Sequence, residues 1–305
     1  MDYSISLYQS TELKELCEFL NRCWEFDSIT PQLLDEKLHG DPAWQEDLAL
    51  MVRNENRIIG FMQGVIRDIR GIRYGYIKLL GIDPTFRRKG IATYLYNELE
   101  KKFVHQSVDA VRIYDVPLNY WMPGIDPRYT PALCWAMRLG FKRFGDTSNL
   151  KVNLSANWDT LDEETKLATD GIVIRGAFPE DKQDVLDFIQ DEWVLWGNEV
   201  EMAFKDDPPS MHIALIDNTI KAFSAHNGNN KGTGWFGPMG THQELRGKGI
   251  GAILLKRCLN DMKFMGLSYA VIPWVGPIDF YAWHANAQVD RVFWRFEKKL
   301  HLNES

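Results

Sequence analysis

One segment of this 305-residue chain occurs twice. Leu80-Gly-Ile-Asp-Pro-Thr-Phe-Arg-Arg-Lys-Gly-Ile-Ala92 aligns without a gap with Met239-Gly-Thr-His-Gln-Glu-Leu-Arg-Gly-Lys-Gly-Ile-Gly251. Arg87 and Arg246 are 159 residues apart, as are Gly90 and Gly249, which is about half the chain. A constant offset of this size predicts a duplicated domain. The length also suits two domains better than one.

The same order of elements reads out of each half. Ile5 to Tyr8 predicts a strand, and Thr11 to Arg22 a helix, with Leu13, Leu16, Cys17 and Leu20 at helical spacing. Asp47 to Arg53 and Ile58 to Arg67 predict strands around a turn, and Tyr74 to Ile82 another that runs into the repeated motif. The second half repeats this with Gly171 to Arg175, a helix over Pro179 to Trp193, strands at Met211 to Ile216 and Ile220 to His226, and Trp235 to Thr241 before the motif. The polar, acidic stretch 155–170 predicts a linker, which gives domains at 1–154 and 171–305.

In both copies the motif joins an apolar strand to a helix. Glycine there lets the backbone approach a ligand closely and turns successive N–H groups outward. The helix N-terminus adds about half a positive charge. Such a junction suits a pyrophosphate, and Arg246 and Lys248 add cationic charge beside it. The spacing fits neither the P-loop nor the dinucleotide fingerprint.

On these residues the chain resembles the GNAT acyltransferase superfamily, whose cofactor motif is Q/R-x-x-G-x-G/A. Arg87-Arg88-Lys89-Gly90-Ile91-Ala92 and Arg246-Gly247-Lys248-Gly249-Ile250-Gly251 both match. The resemblance implies an α/β (mixed α+β) fold of two tandem GNAT domains. Each would be a central mixed, mostly antiparallel sheet flanked by helices. It implies acetyl-CoA, with its pyrophosphate on these N–H groups. Its pantetheine arm would lie along Met239, Gly240 and Thr241, or along Leu80 to Ile82 (Leu80 and Ile82 at its ends).

The family's next signature is a helix bearing Phe/Leu-Tyr. The second half offers Phe280-Tyr281, and the first half sets Trp135 at the tyrosine position. A tyrosine hydroxyl can protonate a departing thiolate, whereas an indole N–H is a far poorer acid. The resemblance therefore implies a catalytic second domain, with Tyr281 as general acid, and a first domain that is non-catalytic or binds cofactor only. Asp279 is a candidate base, although residues i and i+2 do not share a helix face, and an acid there also suits a helix N-terminus. Glu192, Glu199 and a chain of water molecules are alternatives.

The two-domain layout is similar to that of mycothiol synthases and of bacterial glucosamine/glucosaminide N-acetyltransferases, which implies a small-molecule amine acceptor such as an amino sugar. Glu192 and Trp274 are candidate acceptor-binding residues, and Trp193, Trp196 and Trp235 could stack on a sugar ring. The alternatives are a protein or peptide N-acetyltransferase and a non-catalytic acyl-CoA-binding module. A net charge of −7 argues against a broad nucleic-acid-binding face. No run reaches the ~18 apolar residues of a membrane helix, and no basic, apolar leader opens the chain. Four scattered cysteines and the lack of HxxxH or HExxH spacing predict reduced thiols, a cytoplasmic monomer or homodimer, and no metal.

Overall fold

The structure, a computed structural model, describes residues 4–300 and divides into two units. The outermost residues of both expected domains lie outside the described residues. The first unit holds residues 4–146 and 293–300, and the second holds 147–292.

In the first unit β1 (Ile5–Leu7), β2 (Ala49–Asn54), β3 (Arg57–Ile69) and β4 (Ile72–Ile82) pair antiparallel in turn, and β5 (Ala110–Ile113) runs parallel to β4. One sheet face carries α1 (Leu13–Cys23) and α2 (Pro31–Lys37), and the other carries α3 (Ile91–His105) and α4 (Thr130–Arg138). Gly64 lets α3 pack close, since a Cβ there would meet Leu99 at 2.6 Å and Phe103 at 2.9 Å.

The unit boundary falls inside β6 (Lys142–Asn153). In the second unit β7 (Ile172–Gly176), β8 (Met211–Ile216), β9 (Thr219–His226) and β10 (Phe236–Thr241) form an antiparallel meander. β11 (Tyr269–Ile272) pairs antiparallel with residues 150–153 of β6 and touches the β10 side through a parallel Trp235–Val271 bridge. α6 (Lys182–Ile189) and α7 (Gly197–Ala203) cover one face of the meander, α8 (Ile250–Phe264) packs on the other against Ile172, Ala214 and Ala222, and α9 (Ile278–Ala285) joins α8, β6 and β11 in a further cluster. The expected helix over Pro179 to Trp193 is shorter than its pattern: Pro179–Asp181 form a 3-10 turn and the helix ends at Ile189.

The division differs from the expected one at both ends. β12 (Gln288–Lys299) delivers the chain's last strand to the first unit, where Glu297, Lys298 and Lys299 pair with Arg112, Val111 and Ala110 of β5. The stretch expected to be a linker holds α5 (Leu161–Thr169). Its acids are anchored: Lys256 donates to Glu163 at 2.9 Å, and Arg257 binds both oxygens of Glu164 at 2.7 Å. Acidic residues without a wide apolar face thus read as solvated linker in the sequence, although α8 supplies their partners.

Under α2 the first unit buries a polar knot. Arg67 binds both oxygens of Asp41, at 2.7 and 2.8 Å. Lys78 donates to Asp41, to the Lys37 carbonyl at 2.7 Å and to Asn119 at 2.9 Å. Burial pushes the Asp41 carboxyl up, but Lys78 and Arg67 outweigh it and hold it below the usual carboxylate range. A carboxyl lowered in this way contributes stability above its unfolded value, and that stability is lost as pH falls through the folded value. Asp41→Ala strands two buried cations and is expected to cost about 3–5 kcal/mol. Chemical denaturation measures this directly; a loss below about 1 kcal/mol would show that the knot contributes little.

Candidate functional site

Each unit contains a fork between two neighbouring strands. In the first, β4 and β5 pair from Tyr74–Ala110 to Ile77–Ile113, after which β4 continues without β5. In the second, Trp235 bridges Val271 and β10 continues alone. Its register against β9 shifts between Phe236 and Met239, around the cis Gly237–Pro238 peptide. The Asp83 N–H bonds the Ile59 carbonyl at 3.0 Å, and His242 bonds Lys221 in the same way at 2.9 Å. Antiparallel alternation then points the N–H and C=O groups of Leu80 and Ile82, and of Met239 and Thr241, into the forks.

Beyond each fork the chain turns into the glycine motif. Gly90 (φ +83°) caps α3 and Gly249 (φ +81°) caps α8, and neither helix start has a side-chain cap. The first N–H groups of such a helix have no intrahelical acceptor. A Cβ on Gly247 or Gly249 would meet nothing within 4 Å, so the space before these N–H groups is open. Gly247 also has positive φ (+79°), while Arg88 takes that conformation at the matching position (φ +63°) with a side chain. A Cβ on Gly251 would lie 3.4 Å from Met239 and 3.5 Å from Phe280, so a small residue there keeps α8 close to β10 and α9. Lys248 is exposed, as is Arg246, which donates to the Thr241 carbonyl at 3.1 Å.

Tyr281 meets the sheet at the base of the second fork. Its ring is 8% exposed and packs edge-on against Phe236, the first residue of β10, at 6.0 Å. Burial pushes its hydroxyl up to about 12. Among the described residues that hydroxyl bonds no protein group. The burial pattern of α4 follows that of α9, and Phe141 bonds the Ala136 carbonyl as Ala287 bonds that of Tyr281. The structure therefore matches Trp135 with Phe280 and Ala136 with Tyr281, one residue away from the pairing that the sequence suggests. The extra residue before Ala287 hid this register.

The other candidates fall in different places. Asp279 is exposed in the first turn of α9, on a different face from buried Tyr281. Glu192 lies 3.8 Å from Arg246, beside the cationic motif. Glu199 is buried in α7, where a Cβ on Gly228 would come within 2.4 Å of its carbonyl. Gly228 lies in the turn that leads into Trp235 and β10, so the backbone of Glu199 packs on that turn. Trp274 follows β11 with φ +46°, its N–H bonded to Asn149 at 3.0 Å. Trp193 stacks on Trp196 (5.4 Å, 7°) and lies against Gly240, 3.1 Å from a Cβ placed there.

The first fork holds a residue that no sequence pattern singles out. The Trp24 indole donates to the Leu80 carbonyl at 2.9 Å and stacks on Trp121 at 5.6 Å. Among the described residues, no side chain bonds the equivalent carbonyl of Met239. A tryptophan after a helix looks like any near-core aromatic until the fork that it enters is known.

Comparison with known proteins agrees with this geometry. The family described as Acetyltransferase (GNAT) family matches residues 13–119 and 173–285. An acetyltransferase of Pectobacterium atrosepticum is 32% identical over 101 residues, which is 33% of this chain and 63% of that protein. The match thus spans less than two thirds of the relative. Among solved structures, a GCN5-related glucosamine N-acetyltransferase region in a fungal multi-domain GH3 β-N-acetylglucosaminidase superposes with a TM-score of 0.81 at 17% identity, covering 97% of this chain and 38% of that one. A GCN5-related N-acetyltransferase from Sphaerobacter thermophilus gives 0.70 at 17% identity, covering 97% and 95%. A tandem GNAT protein from the clavulanic acid biosynthesis pathway gives 0.68 at 13% identity, covering 98% of each chain. At these identities the structures share the fold.

Proposed function

The chain belongs to the GNAT acetyltransferase family, which uses acyl-CoA, and we propose that its second unit moves an acetyl group from acetyl-CoA to the primary amine of a small molecule. The observation that carries this reading is the juxtaposition of three features: the start of α8, which has no side-chain cap, lies against Met239 of β10 and Phe280 of α9, 3.4 and 3.5 Å from a Cβ placed on Gly251, and the neighbouring Tyr281 packs on Phe236 of β10. The N–H groups of the Gly247 to Gly251 turn would hold the pyrophosphate. The outward N–H and C=O of Met239 and the N–H of Thr241 would bind the pantetheine arm, the Thr241 carbonyl already accepting from Arg246.

The neutral amine attacks the thioester carbonyl. As the C–N bond forms and the C–S bond breaks, the electron pair leaves on sulfur, and Tyr281 supplies the proton that it takes up. Backbone N–H at the register shift of β10 would support the developing oxyanion. The ammonium proton must go to a base or to solvent. Glu199, buried in α7 against the turn before β10, suits that part better than exposed Asp279 or than Glu192 beside Arg246.

An amino sugar such as glucosamine or a glucosaminide is the acceptor proposed. The paired rings of Trp193 and Trp196 beside Gly240 would give a pyranose ring a surface to lie on. The glucosamine N-acetyltransferase region among the structural neighbours supports that choice. Thiol release from acetyl-CoA across a panel of glucosamine, glucosaminides, polyamines, amino acids and peptide amines tests it. Release with peptides but not with sugars would move the acceptor to a protein class.

Gly249→Glu places a negative side chain in the open space before the helix start. It is expected to abolish acetyl-CoA binding to this unit. Calorimetry on the folded variant decides, and unchanged affinity would remove the turn from the cofactor site.

A further inference from the structure

We propose that the first unit is closed to acyl-CoA by its own Trp24, so that the chain binds a single acyl-CoA. The proposal rests on the reading above, in which the free edge of β10 takes the pantetheine arm.

The two forks have the same frame. Leu80 stands where Met239 stands, Asp83 makes the bond that His242 makes, and Gly90 and Gly249 share a conformation within a few degrees. Their contents differ. In the first fork the carbonyl that an arm would use already accepts a bond from the Trp24 indole, at 2.9 Å. The indole cannot easily leave, because it is stacked on Trp121, which is itself 6% exposed.

The segment carrying Trp24 is tied on both sides. The Arg87 guanidinium donates to the Cys23 carbonyl at 2.7 Å. That cation, exposed like its counterpart Arg246, bonds the segment of the plug where Arg246 bonds the Thr241 carbonyl of its own strand. After Trp24, the Phe26 N–H bonds the Tyr129 hydroxyl at 3.0 Å, and that hydroxyl donates to Asp27 at 2.8 Å. Arg128 lies over the Phe26 ring at 4.5 Å. Ala136, at the place of Tyr281, brings no hydroxyl of its own to this fork.

In the second unit the corresponding aromatic, Trp193, packs against Gly240 and Trp196, and its indole bonds no β10 carbonyl among the described residues. The glycine motif therefore persists in both halves while only one fork is open along its strand edge.

Titration calorimetry with acetyl-CoA on the full chain tests this. The wild type is expected to bind one equivalent and Gly249→Glu none. Adding Trp24→Ala to Gly249→Glu is expected to create a site, which Gly90→Glu then removes. Two equivalents on the wild type, or a site surviving in Gly249→Glu that a further Gly90→Glu removes, would overturn the closure while leaving the acyl-CoA reading of the fold intact. No binding by the wild type would overturn both. A site that survives both substitutions would remove the glycine turns from the cofactor site. A folded Trp24→Ala, Gly249→Glu protein that binds nothing would show that Trp24 is not what closes the fork. The first two titrations decide the matter even where the Trp24 variant does not fold.

Discussion

Tyr281→Phe is expected to lower kcat by about 10²–10⁴-fold, the usual cost of losing a general acid, with acetyl-CoA affinity unchanged. The substitution removes one oxygen from a ring that is 8% exposed and packed on Phe236, so the core contacts survive. Burial holds the hydroxyl at about 12, and it therefore remains protonated at every working pH. Loss should fall on kcat because the proton is needed as the C–S bond breaks and not when the cofactor binds. For the same reason Tyr281 should add no inflection to the rate profile near neutral pH. A tyrosine that only fills space would show the opposite split, a lower melting temperature with kcat within a factor of about three of wild type.

The repeated motif made the architecture legible because its glycines act through the backbone. A strand, an outward turn of N–H groups and a helix start impose the same residue types wherever they occur. The strands Met211–Ile216 and Thr219–His226 could be read because each is a short apolar run bounded by the Asp217-Asn218 turn, which suits a strand buried on both faces. What could not be read depends on partners far along the chain. Nothing local tells Phe293 to Lys299 that they complete a sheet begun by Ala110 to Ile113. Nothing local shows that Glu163 and Glu164 meet Lys256 and Arg257. The same holds within the site. Tyr281 stood out because the resemblance to the family's Phe/Leu-Tyr signature carried it, whereas Trp24 matters only through a carbonyl 56 positions away. The one-residue difference between Trp135 and Ala136 was hidden because a longer turn ends α9.

A chain ending at Val292 is expected to lose the folded first unit. Residues 293–300 belong to that unit although they are the last described in the sequence. Their removal takes away Phe293 and Phe296, both fully buried, each worth about 1.5–3 kcal/mol. It also takes Arg295, which donates to Asp115 through Nε at 3.0 Å and Nη2 at 2.9 Å. Burial pushes the Asp115 carboxyl up to about 8 even with Arg295 and Arg112 beside it. Without Arg295, that buried acid keeps only Arg112, 3.9 Å away, and losing the hydrogen bonds to a buried polar group costs about 1–3 kcal/mol. The strand bonds to β5 go as well. These losses together are of the order of the roughly 5–15 kcal/mol that holds a domain folded. Hydrogen exchange across residues 4–146 separates this outcome from mere fraying of a terminal strand. Protection should collapse throughout β2 to β5, and a synthetic peptide of residues 293–300 should restore part of it. Full-length Phe296→Ala gives the graded version, an expected loss of about 3–5 kcal/mol. Native protection of β4 and β5 in the shortened chain would show that the first unit closes its sheet without the last strand.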